Sequence, residues 1–76
     1  MAGRLPVLRP DEVVRALERA GSVRERRLAH LIMRHPATRR SVPIPVHPGD
    51  LKRGLVLSII NQAGLTQDEF RALLRR

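Results

Sequence analysis

Leu28-Ala29-His30-Leu31-Ile32-Met33-Arg34, His35-Pro36-Ala37-Thr38-Arg39-Arg40 and Ser41-Val42-Pro43-Ile44-Pro45-Val46 follow one another without a break, and their reading decides the fold. Helical periodicity is absent from this stretch. The residues from Ala29 to Arg34 form a short apolar run that ends on charge, which reads as a strand. Those from Ser41 to Val46 alternate Val42, Ile44 and Val46 with Ser41, Pro43 and Pro45, which is the period of a strand with one buried face. The segment His35 to Arg40 is the turn between them. A weaker run, Val23 to Arg27, precedes both, so the centre of the chain reads as a meander of three strands. Pro43 and Pro45 are two residues apart, so both missing N–H groups point to the same side, and that side must face away from a neighbour. The third strand is therefore an edge strand.

Helices are expected on either side. Pro10-Asp11-Glu12 has the pattern of a helix start, with proline in the first turn and acids against the positive end of the dipole. Val13, Val14, Leu17 and Ala20 then share a face, and Gly21 supplies a left-handed stop, so the first helix covers about residues 10 to 20. After the break at Pro48-Gly49-Asp50, the residues Leu51, Leu55, Val56, Ile59, Ile60 and Ala63 repeat at helical spacing, which predicts a second helix over about 51 to 62. Gly64 ends it, and Thr66 followed by Glu69 is a capping box for a third, short helix carrying Phe70, Leu73 and Leu74. The fold class is α+β, in the order α-β-β-β-α with an extra short C-terminal helix. A three-stranded antiparallel sheet has its helices on one face and leaves the other to solvent or a partner. Residues 1–76 are expected to form one domain.

The charge then narrows the partner. Fifteen Lys and Arg oppose seven Asp and Glu, for a formal charge of +8, and all but Lys52 of the basic residues are arginine. A field of this sign attracts polyanions, and the guanidinium fork grips phosphate with two hydrogen bonds, so nucleic acid is the leading partner. A membrane-surface helix would need one long uninterrupted amphipathic stretch, which the prolines prevent. Cysteine is absent, which removes disulfides, thiolate metal sites and thiol nucleophiles. Met1 to Pro10 has no apolar run of signal-peptide length and nothing approaches a membrane span, so a cytoplasmic location is expected. With Phe70 the sole aromatic residue, stacking on bases would fall to Arg or His.

Acid–base candidates reduce to the three histidines and the carboxylates. Asp11, Glu12, Glu18, Asp68 and Glu69 have dipole and capping positions that account for them. His30, His35, His47 and Asp50 have no spacing that puts two ligands on one helix face, so no metal site is expected. His30 stands out inside the apolar strand with Arg24, Arg26, Arg27 and Arg34 near it in sequence. Imidazole exchanges protons near cellular pH and suits general base work, although a lone strand histidine is more often structural. His35, beside Pro36, reads as exposed or turn-capping. His47 either shares a phosphate with Lys52 and Arg53 or fixes the loop before the second helix.

Arg34-His35-Pro36, Val42-Pro43-Ile44-Pro45-Val46-His47 and Leu51-Lys52-Arg53-Gly54, in that order, resemble the HicA-type toxins. The likeness extends from Asp11-Glu12-Val13-Val14-Arg15-Ala16-Leu17 with Ala20-Gly21 to Ile59-Ile60-Asn61-Gln62-Ala63-Gly64-Leu65-Thr66 and Glu69-Phe70. It implies a fold similar to double-stranded-RNA-binding domains, cleavage of messenger RNA without metal or cofactor, and a HicB-type antitoxin partner. It also implies a catalytic His30, because the histidine of the family's Gly-Ser-His motif falls there. This chain reads Leu28-Ala29-His30 at the motif, and Ser22 stands where a phenylalanine is usual. On this reading His30 is a general base for a ribose 2'-hydroxyl, with Arg24, Arg26, Arg27, Arg34, Arg39, Arg40, His47, Lys52 and Arg53 as RNA contacts. The alternatives are a non-catalytic RNA-binding module and a protein that only binds its antitoxin.

Overall fold

The structure, a computed structural model, describes residues 5–75. The order is α1 (Pro10–Arg19), β1 (Val23–Arg27), β2 (His30–Arg34), β3 (Ser41–Pro45), α2 (Arg53–Gln62) and α3 (Gln67–Leu74). This is the expected α+β arrangement, with a three-stranded antiparallel sheet in the order β1-β2-β3.

Local signals set the helix boundaries. Pro10 opens α1, and the Glu12 carboxylate accepts the Arg9 backbone N–H at 2.9 Å, one half of a capping box. At the other end Gly21 takes φ 106°, and Ser22 and Gly21 donate backward to the carbonyls of Leu17 and Glu18 at 2.9 and 3.0 Å. Gly64, at φ 77°, closes α2 in the same manner, with Leu65 and Gly64 donating to Ile60 and Asn61 at 3.1 and 3.0 Å. These are two Schellman closures, each placed by its glycine. Thr66 and Glu69 cap α3 reciprocally, at 3.0 and 2.7 Å.

Four details differ from expectation. Strand β2 starts at His30, because Ala29 belongs to the turn that joins it to β1. Ala16, rather than Ala20, completes the buried face of α1 with Val13, Val14 and Leu17. Helix α2 begins at Arg53, not at 51, because Leu51 is held in an isolated bridge, donating its N–H to the Leu8 carbonyl at 2.8 Å. The third strand stops at Pro45, leaving Val46 outside it.

The core follows from strand alternation. Leu31 and Met33 of β2 and Val42 and Ile44 of β3 point to one face, where they meet α1, α2 and the fully enclosed Phe70 of α3. Burying side chains of this size contributes roughly 1.5–3 kcal/mol each, which is what a chain this short relies on. Leu5 and Leu8, ahead of α1, are also buried, a contribution the periodicity of the sequence does not announce. Strand β3 lies at an edge, paired through Pro43 with Ile32 and through Pro45 with His30. Strand β1 forms the opposite edge, and none of its five residues is buried.

Candidate nucleic-acid interface

Cross-strand partners share a face, so the pairing assigns each side chain. His30, Ile32 and Arg34 alternate with the buried Leu31 and Met33 and therefore lie on the face away from the helices. Arg26 pairs with Ile32 and belongs to the same open face. Arg24 pairs with Met33 and Arg27 with Leu31, so these two point toward the helix side, at the margin of the core. Between Arg24 and Arg26 the register slips by one residue, and Glu25 is the extra residue of this bulge. Without the bulge Arg24 and Arg26 would share a face; with it they are separated.

His30 begins β2, directly after the two-residue turn Leu28-Ala29, which is closed by a bond from the Leu28 N–H to the His30 carbonyl at 3.0 Å. Its imidazole is exposed and has no hydrogen-bond partner among the described residues. Leu28, standing where the resemblance has glycine, is 68% exposed.

The other two histidines are engaged. His35 Nδ1 accepts the N–H groups of Ala37 and Thr38 at 3.2 and 3.3 Å, which leaves Nε2 as the protonated nitrogen, donating to the Ala20 carbonyl at 3.0 Å. The ring thus caps its own turn and ties it to the end of α1. Gly21 lies directly beneath, where a Cβ would come within 2.8 Å of Nε2. His47 Nδ1 donates to the Pro48 carbonyl at 3.1 Å, which fixes the loop toward α2.

The arginines divide in the same way. Arg40 donates to the Gln62 carbonyl at 3.3 Å and lies flat against Gly64, where a Cβ would approach its Nε to 2.8 Å. Arg19 reaches the Leu73 carbonyl at 2.8 Å. Each places a cation at the negative end of a helix. Arg24 pairs with Glu18 at 3.2 Å, and Arg34 approaches Glu25 at 3.8 Å. Such exposed pairs contribute little to stability, yet they hold the arginines in place. Arg26, Arg27, Arg39, Lys52 and Arg53 are exposed and have no ion-pair or side-chain hydrogen-bond partner among the described residues.

The nine sequence-selected contacts are therefore not one patch. Arg26 and Arg34 share the open face with His30, Arg24 and Arg27 flank α1, Arg39 and Arg40 sit in the β2–β3 turn, and His47, Lys52 and Arg53 cluster at the start of α2. The turn-capping role of His35 was legible from its place beside Pro36, whereas its tie to Ala20 and that of Arg40 to Gln62 join residues far apart in sequence, with the glycines at 21 and 64 as their trace.

Among the described residues no three His, Asp or Glu side chains converge as metal ligands, and no helix is long and apolar enough to cross a membrane. No curated protein matches the chain closely enough to serve as a named relative. A family model does match, over residues 10–65, and its description is the HicA toxin of bacterial toxin–antitoxin systems. The match begins at the first residue of α1, takes in the whole sheet and α2, and ends just before the capping box of α3. By that match the chain belongs to the HicA toxin family.

Proposed function

We propose that this toxin is an endoribonuclease that uses His30 as its general base. The observation that carries the reading is the contrast among the histidines: of the three, only His30 presents an exposed imidazole with both ring nitrogens uncommitted among the described residues. A neutral imidazole nitrogen takes the proton of a ribose 2'-hydroxyl. The 2'-oxygen then bonds to the adjacent phosphorus, and the bond from phosphorus to the 5'-oxygen breaks. The leaving oxygen takes up a proton, giving a 2',3'-cyclic phosphate and a 5'-hydroxyl end. Arg26, free and on the same face, stabilises charge on the phosphate oxygens, while Arg34 grips the flanking chain. His47, water and a proton donor held by an arginine are the three sources for the returning proton. His47 lies two residues past Pro45, which pairs with His30 across the strands.

A basic protein of this kind binds RNA through phosphate contacts, so affinity falls steeply with salt. The test is cleavage of an end-labelled RNA at low salt in EDTA, comparing the natural protein with His30→Ala. Loss of a general base lowers the rate by about 10²–10⁴ while binding is retained. Replacing the ribose at the cut site with deoxyribose abolishes cutting, and 3'-hydroxyl products would refute the route. Ala29 offers no hydroxyl where the family motif has serine, and this favours one second reading, an RNA-binding toxin without chemistry. Salt-sensitive binding with no cleavage by either protein would select it.

A further inference from the structure

The free edge of β1 and the groove beside it form a second surface, of which the cleavage reading uses only Arg26. Among the described residues β1 pairs only with β2, so its other side carries backbone N–H and C=O groups with no strand to meet them. An exposed edge of this kind is a template for another strand. At the opposite edge Pro43 and Pro45 remove the donors; β1 contains no proline. Beside β1, toward the helices, Pro10, Val14, Leu31 and Val46 floor a shallow groove of about 140 Å³, flanked by Arg24 and Arg27 and, on the α1 side, by Asp11, whose carboxylate is paired with Arg15. Leu28 and Val46 stand exposed at the same end of the strand.

We infer that this edge and groove dock an extended, acidic polypeptide segment as a fourth strand, with its apolar side chains directed into the groove that Arg27 borders and its carboxylates on the opposite face, beside Arg26. Charge complementarity selects the occupant. Three of the five β1 residues are arginine; Arg24 is already held by Glu18, whereas Arg26 and Arg27 have no carboxylate partner among the described residues. A second copy of the chain would bring β1 against β1 and set these like charges side by side, which is unfavourable. RNA would satisfy the arginines but neither the ladder of backbone groups nor an apolar groove. The bulge at Glu25 interrupts the edge, so the added strand is short and its register is set by the arginines rather than by indiscriminate pairing. The inference does not depend on catalysis by His30 and is tested equally well in His30→Ala.

The experiment titrates the ¹⁵N-labelled protein with a synthetic peptide of alternating glutamate and valine at low salt, with the alternating lysine–valine peptide as control. The acidic peptide is expected to shift the amides of residues 23–28 most and to slow hydrogen exchange along β1. The double variant Arg26→Glu with Arg27→Glu, shown to be folded by an unchanged unfolding midpoint, is expected to bind at least tenfold more weakly. Should that variant be unstable, Val46→Asp, which removes the apolar anchor and leaves the arginines, is expected to weaken binding as well. No binding of the acidic peptide overturns the inference. So do shifts spread equally over Arg39, Lys52 and Arg53, or a short RNA that displaces the peptide and slows exchange of the β1 amides itself.

Discussion

The two hairpins of the sheet are built differently. The β2–β3 hairpin is secured on every side: His35 joins its turn to the end of α1, Arg40 reaches across to the last turn of α2, and Arg39 accepts φ 63° to close the loop. Its outer strand sends Val42 and Ile44 into the core and shields its edge with two prolines. The β1–β2 hairpin has a two-residue turn and an outer strand with no buried residue, held by its ladder with β2 and by surface ion pairs. His30 sits on this second, less anchored hairpin. Stability is thus concentrated in one half of the sheet, and the uncommitted chemical groups in the other. In a chain this short the core has little stability to spare, so the half that offers free side chains to a ligand is the half that contributes least to packing.

Substitutions can break or sharpen this contrast. The largest effect is expected at Ile44, which is 0% exposed: Ile44→Ala removes packing at the centre of the secured half and should cost about 2–5 kcal/mol in denaturant unfolding. By the same measurement Arg26→Ala, on the other outer strand, should stay within about 0.5 kcal/mol. Comparable losses at the two positions would remove the distinction between the hairpins.

A smaller effect is expected at the clasp. His35→Ala leaves the Ala20 carbonyl and two turn N–H groups without their partner and should cost about 1–2 kcal/mol. Gly21→Ala adds a Cβ that meets the imidazole and forces an L-residue to a positive φ. A double-mutant cycle separates the two: in the His35→Ala background the steric part of the Gly21→Ala cost should vanish and the backbone part persist. Strict additivity would mean that the ring does not press on the glycine.

The smallest change in stability is expected at the guarded edge. Pro43→Thr restores an outward N–H with a stability change of under about 1 kcal/mol, and should be seen instead as concentration-dependent self-association in sedimentation. A variant that remains monomeric at high concentration would show that the prolines are not what closes this edge.

Much of this architecture was legible in the residues. The prolines of β3, the glycines after α1 and α2, and the Thr66–Glu69 capping box act through neighbours within a few positions, so spacing alone revealed them. The strand alternation at Val42 and Ile44 correctly named the buried face. The candidate site was only half legible. His30 could be singled out among apolar neighbours and His35, beside Pro36, read as turn-capping, as its bonds from the Ala37 and Thr38 N–H groups bear out; what no local signal gave is its bond to a carbonyl fifteen residues earlier in the chain. Nor did the sequence divide Arg24 from Arg26, since a one-residue bulge depends on how two strands meet.

The sequence by itself therefore determined the order of elements, the helix ends marked by a cap or a glycine and the sign of the field, because propensity, capping and net charge are local or additive. Only the tertiary structure decided which polar groups are already satisfied. Burial of Leu5 and Leu8, the Leu8–Leu51 bridge, the two arginines placed on helix ends and the imidazole set against Gly21 all arise where segments distant in sequence meet. A side chain is free to act on a ligand when the fold has given it nothing else to hold, and that depends on three-dimensional proximity, which no spacing along the chain encodes.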